Sequence, residues 1–217
     1  MTVQDFSLTR AAMVDSQLRT NEVSNPRIAD AFLSVERERF VPAGRSSVAY
    51  TDLPIPLGGG RALNAPLSTA RLISQALPTA EQKILVVGAA TGYSAAILSH
   101  LGCLVTALEE APVLVDIAKS TLANAHNVTV VTGPLADGWS KNAPYDAIIV
   151  DGAIERLSRS LIDQCAEGGR VVAAIVDENV VRLASGYKVS GAVVLVPFAE
   201  CQSVILPGFA AVKEFVF

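Results

Sequence analysis

The stretch ILVVGAATGYSAAIL, residues 84–98, decides the fold. Four branched apolar residues, Ile84 to Val87, form a short run suited to a strand buried on both faces. Gly88 to Gly92 then supply a turn of small residues, and Ser94 opens an apolar helical stretch. Glycines in such a turn allow the backbone to approach a ligand closely, and the following helix start offers free N–H groups. The spacing is G-A-A-T-G. It lacks the G-x-G-x-x-G of a dinucleotide site and the G-K-[ST] of a P-loop. Glu109 stands about 20 residues further on, at the end of the next apolar run, where a carboxylate can accept both hydroxyls of a ribose. The pattern points to an adenosine-containing ligand. The bland alternative is a tight strand-to-helix turn with Glu109 solvated.

Working outward, short apolar strands are expected at 84–87, 103–108, 128–131, 145–150 and 171–176. Helices are expected at 94–101, 113–125 and 158–166. This alternation predicts a mostly parallel sheet with helices on both faces, an α/β architecture. The last 40 residues lack a clear helix. Runs at 180–183, 189–196, 202–206 and 212–216 read as antiparallel strands or hairpin arms. The segment 206–217, with Phe209, Phe215 and Phe217, is expected to close the sheet edge, with a dimer face as the alternative. Asp151 and Gly152 end the fourth strand on the ligand-binding carboxyl edge. There Asp151 faces substrate or cofactor, or caps the next loop or helix. Asp137 and Gly138 form a turn that touches the ligand base or simply turns.

Upstream, the first 45 residues read as helical, with Asn25 as a cap before Pro26. Residues 50–66, rich in Pro and Gly, read as a long irregular loop. Asn64 is placed as cap of a helix over 66–77. The expected organisation is 1–80 as N-terminal helices and loop packed on a core of 81–217.

The whole chain has 217 residues, with 51% hydrophobic and 18% charged. Its apolar runs fall short of the roughly 18–20 residues a membrane span needs, so no membrane association is expected. A net charge of −4 argues against a broad nucleic-acid face. Three scattered cysteines without CxxC spacing fit a reducing, cytoplasmic setting. With only His100 and His126, far apart, no metal site is expected.

Several stretches together resemble the protein-L-isoaspartate O-methyltransferase family. They are MVDSQLRTNEVSNPRIADAFLSVERERFVP (13–42), AYTDLPIPLGGG (49–60), ILVVGAATGY (84–93), APYDAIIVDGAI (143–154) and LIDQCAEGGRVV (161–172). The resemblance covers nearly the whole chain. It implies the Rossmann-like fold of class I methyltransferases with an N-terminal helical addition. It also implies S-adenosyl-L-methionine as cofactor, S-adenosyl-L-homocysteine as product, and repair of damaged proteins. The reaction it implies is attack of an isoaspartyl carboxylate oxygen on the sulfonium methyl. The implied cofactor-binding set is Gly88, Ala89, Ala90, Gly92, Glu109, Glu110, Leu135 and Asp151. Leu57, Gly58, Gly59 and Asn64 become the substrate loop, with Asn64 and Arg61 as the catalytic pair.

The chain also departs from the family. Where the family carries serine, glutamine and proline after its loop, this chain has Asn64, Ala65 and Pro66. A family histidine is replaced by Gly59, and the following glutamine and threonine by Arg61 and Ala62. An acid before the first glycine is replaced by Val86, the middle glycine by Ala90, and the acid after strand three by Pro134. Arg61 is read as gripping a carboxylate through its planar fork, or as a surface arginine. Three readings remain: an isoaspartyl methyltransferase, a methyltransferase for another carboxylate or small molecule, and a non-catalytic member of the fold. A monomer and a homodimer are both compatible with the sequence.

Overall fold

The computed structural model describes residues 5–177 and 180–210. The chain enters through α1 (Ser7–Met13), which continues as a π-helical turn, Val14–Leu18, and a 3-10 turn, Arg19–Asn21. Next comes α2 (Pro26–Ser34), capped as its sequence predicts: the Asn25 side chain accepts from the amide of Arg27 at 3.0 Å, and Pro26 fills the first helical position. Met13, Leu18, Ile28 and Phe32 from these turns share one buried cluster with Ile84 and Val86 of the sheet.

The stretch 50–66 is not irregular throughout. It contains a hairpin, β1 (Ile55–Gly58) and β2 (Arg61–Leu63). The tip Gly59–Gly60 has both φ angles positive, +57° and +74°, which glycine adopts without steric cost. The helix α3 (Pro66–Ala76) follows. Its cap position is Ala65, not Asn64, whose side chain turns elsewhere.

Alternation then builds the sheet: β3 (Lys83–Val87), α4 (Tyr93–His100), β4 (Leu104–Glu109), α5 (Pro112–Thr121), β5 (Val128–Thr132), β6 (Tyr145–Ile154), α6 (Arg159–Gln164) and β7 (Cys165–Asp177). These five strands are parallel. β8 (Val180–Val189) and β10 (Val196–Glu200) extend the sheet antiparallel beyond β7, and the short β9 (Ala192–Val193) pairs with β8. The main order is β10-β8-β7-β6-β3-β4-β5. Strands leave β3 in both directions, β4 on one side and β6 on the other, so the order switches at β3. Ligands of open α/β sheets bind outside the carboxyl ends at such a point.

This is a Rossmann-like α/β sheet with an N-terminal helical extension, the architecture that the resemblance implies. The apolar excess sits where two covered faces need it: Ile84 to Val87, Ile148 to Val150, and Val171 to Ala174 are all buried. No helix among the described residues is long and apolar enough to cross a membrane.

Expectations change further at the carboxyl end: the run expected at 189–196 is broken by a turn at 190–191, leaving only β9 inside it before β10 begins at Val196. Residues 202–206 do not form a strand; Ile205 makes one isolated parallel bridge, to Ala153. Residues 206–210 run on as a turn and coil, with no edge strand. The expected strand at 212–216 lies outside the described residues.

Candidate functional site

The site lies at the carboxyl edge around Gly88. The turn after β3 is held in left-handed backbone: φ is +77° at Gly88, +50° at Ala90 and +98° at Gly92. Ala90, standing where the family has glycine, keeps that conformation against a steric cost of about 1–2 kcal/mol. The amides of the turn point into the chain itself. Those of Gly88 and Ala89 donate to the Leu108 carbonyl at 3.0 Å each, and that of Ala90 donates to Glu109 Oε2 at 2.9 Å. The Val86 side chain, in the acid's place, packs in the apolar core.

Glu109, at the end of β4, is fully buried. Its Oε1 accepts from the amides of Glu110 and Ala111, at 3.0 and 3.1 Å. Arg61 completes the set, donating Nη1 to Oε1 at 2.9 Å and Nη2 to Oε2 at 2.8 Å. Five N–H groups therefore surround one carboxylate. The hairpin explains how Arg61 gets there. Side chains alternate along β2, so Arg61 and Leu63 share the inward face, and both are buried. Arg61 is neither a surface residue nor open to a substrate; its charge is spent on Glu109.

Beside it lies a second polar cluster. Asn64 Nδ2 donates to Asp151 Oδ1 at 2.7 Å, and Ser94 Oγ donates to the other oxygen of Asp151. Asn64 Oδ1 accepts from Ser203 Oγ at 2.8 Å. Burial raises the Asp151 pKa, while the Ser94 and Asn64 hydrogen bonds and the Arg37 and Arg61 cations oppose the rise. Arg37 is wholly buried, donating Nε to Ala49 O at 2.7 Å and Nη2 to Asn64 O at 2.6 Å. Its guanidinium lies 4.7 Å from the centre of the Tyr93 ring. Burial pushes the Tyr93 phenol up to about 12.

The remaining candidates disperse. Leu57 is half-buried in β1, and Gly58 and Gly59 are exposed at the hairpin tip. Glu110 lines an open groove of about 470 Å³ with Gly59, Gly60, Arg61, Ala111, Ile205, Leu206 and Pro207. Leu135 is buried in a 3-10 turn and belongs to the same apolar cluster as Leu206 and Phe209. Asp137 is turned to α6: its carbonyl accepts from Ser160 and Gln164.

Sequence reasoning did not find Leu206. Its side chain sits directly over the glycine turn. A Cβ built on Gly88 would meet Leu206 Cδ1 at 2.9 Å, and one on Gly152 would meet Leu206 Cδ2 at 2.6 Å. The space that glycines open for a ligand is filled by the chain's own leucine. The signal was present as Leu206-Pro207-Gly208-Phe209, a turn pair between two large apolar residues.

Similarity to known proteins places this architecture. A model of the family "Protein-L-isoaspartate(D-aspartate) O-methyltransferase" matches residues 9–207. The chain belongs to the protein-L-isoaspartate O-methyltransferase family. It is 33% identical over 205 residues to the protein-L-isoaspartate O-methyltransferase of Koribacter versatilis, covering 94% of this chain and 92% of that one. It is 37% identical over 165 residues to that of Gloeobacter violaceus, covering 75% and 80%. Among solved structures, a protein-L-isoaspartate O-methyltransferase superposes with a TM-score of 0.80 at 25% identity, over 91% of this chain and 66% of that one. A putative one from Plasmodium falciparum, in complex with S-adenosyl-L-homocysteine, superposes with a TM-score of 0.77 at 19% identity, over 91% and 97%, which speaks for the fold.

The family implies S-adenosylmethionine. In this conformation the residues do not accommodate it. Leu206 packs over Gly88 and Gly152, and Arg61 takes both oxygens of Glu109, the carboxylate expected to receive a ribose.

Proposed function

We propose that the protein is a methyltransferase of this family that uses S-adenosylmethionine to methylate a free carboxylate. The acceptor class is the α-carboxylate of an isoaspartyl residue in a damaged peptide, or a small carboxylate of like shape. One observation carries the reading: a buried carboxylate, Glu109, stands at the end of β4 against the Gly88 turn, at the switch point of the sheet. The family match supports it by running through the helical extension and the hairpin as well as the sheet. S-adenosylmethionine supplies an activated methyl group when bound. A carboxylate acceptor is already anionic, so the chain's part is orientation and exclusion of water. A cytoplasmic setting is part of the same proposal, from three scattered cysteines without CxxC spacing.

A second reading is favoured by the Arg61–Glu109 pair: a member of the family that keeps the fold and has given up the cofactor. Calorimetric titration with S-adenosyl-L-homocysteine separates the two. The first reading expects saturable binding, and methyl transfer to an isoaspartyl peptide well above its aspartyl control. Binding without transfer to either peptide would remove the isoaspartyl acceptor. No binding into the millimolar range, by the native chain or by a Leu206→Ala variant with the cradle emptied, would leave the second reading.

A further inference from the structure

We propose that residues 203–209, with Arg61, form a latch that occupies the adenosyl pocket from within, and that the cofactor enters only when this latch opens. The inference rests on the methyltransferase reading and concerns the regulation of that same site.

The segment crosses the carboxyl edge of the sheet after the last strand. It is tied to β6 by two backbone hydrogen bonds, Ala153 N to Val204 O and Leu206 N to Ala153 O, both 2.8 Å. That is one bridge, not a ladder. Its neighbours face outward: Gln202, Ile205, Pro207 and Gly208 are exposed. Leu206 and Phe209 alone are driven in, each 3% exposed. A strip held by so few backbone bonds can leave without unmaking the sheet, and the cost of opening is the loss of Leu206 and Phe209 from the apolar cluster beneath.

Beneath it lie the Gly88 turn and the carboxylate of Glu109. Gly88 and Gly152 are both without a side chain where Leu206 presses, so its departure bares backbone there, whereas Gly92 makes room for Leu122 and for Thr121 of α5. Glu109 holds its place with three backbone donors that do not depend on Arg61. Once Arg61 swings away, both carboxylate oxygens turn to the pocket still fixed in position. The second tie is polar: Ser203 Oγ donates to Asn64, which donates to Asp151. Moving the strip therefore also frees the amide oxygen of Asn64, which lies beside Asp151.

A ligand that binds only the open form has its apparent affinity reduced by the fraction open. Leu206→Ala and Arg61→Ala act on that fraction by different means, one by space and one by charge. Each is expected to bind S-adenosyl-L-homocysteine at least tenfold more tightly than the unaltered chain in calorimetric titration, with thermal melts confirming the fold. The unaltered chain saturated with S-adenosyl-L-homocysteine should also show faster hydrogen exchange at the Leu206 amide, and this measurement stands if a variant fails to fold. Affinity unchanged or lowered in both variants, or a Leu206 amide still protected in the complex, would overturn the latch while leaving the cofactor reading intact. Binding by none of the three chains would overturn both.

Discussion

Arg61 and Glu109 meet as two parallel forks, at 2.9 and 2.8 Å, with 6% of the arginine side chain and none of the glutamate exposed. The two partners are not equivalent. Without Arg61, Glu109 still has three amide donors; without Glu109, a buried cation and those three amides lose their acceptor. Glu109→Leu should therefore lower stability by about 3–5 kcal/mol, and Arg61→Met by less, about 1–3 kcal/mol. Urea unfolding of the two variants checks the order, and a larger loss for Arg61→Met would contradict it.

Asp151 makes stability depend on pH. Burial raises its pKa in the folded state, so the native chain holds this proton more firmly than the unfolded one. The ionised form is thus disfavoured by folding. The cost is absent below the usual aspartate value, and grows as pH rises from there through the raised folded value. Asp151→Asn removes the ionisation. Relative to this variant, the unaltered chain should lose stability steadily as urea unfolding is repeated from pH 4 upward. A difference that stays flat or rises would refute the assignment.

Arg37 bridges two carbonyls on different segments, Ala49 and Asn64. Lysine has one ammonium and no fork, and cannot hold both with the same geometry. Arg37→Lys is expected to cost about 2 kcal/mol or more in thermal or urea unfolding, since a buried carbonyl is left without its donor. The near-ultraviolet circular dichroism should change too, because the guanidinium lies over Tyr93. Full retention of both would mean that Arg37 is replaceable packing.

Burial raises the thiols of Cys103, Cys165 and Cys201 to about 11 each. The thiolate is the reactive species, so at pH 8 only about one in a thousand of each is available. Reaction with a disulfide reagent should be slow in the native chain and complete, at three equivalents, in denaturant. A fast native phase would single out an exposed thiol.

The sheet was legible because its signal is local. The run at 84–87 and the turn after it read directly as strand and glycine turn, and β3 ends at Val87 as expected. Asn25 and Pro26 marked a helix start for the same reason. The hairpin at Ile55–Leu63 was hidden because Pro54, Pro56 and three glycines look irregular, although the glycines serve a tight turn. The site was less legible because its decisive contacts are remote in sequence. Arg61 is 48 residues from Glu109, Asn64 is 87 from Asp151, and Ser203 is 139 from Asn64. No periodicity records such pairings. Glu109 was found at its position, but the partner it meets there is a side chain of its own chain.

The placement of the 203–209 strip also separates it from the sheet it covers. Every described strand of the main sheet lies before residue 201, and the strip follows them in the chain. The sheet, the glycine turn and the Glu109 edge are thus complete in their strands without the strip, which lies over them as an addition rather than as a member.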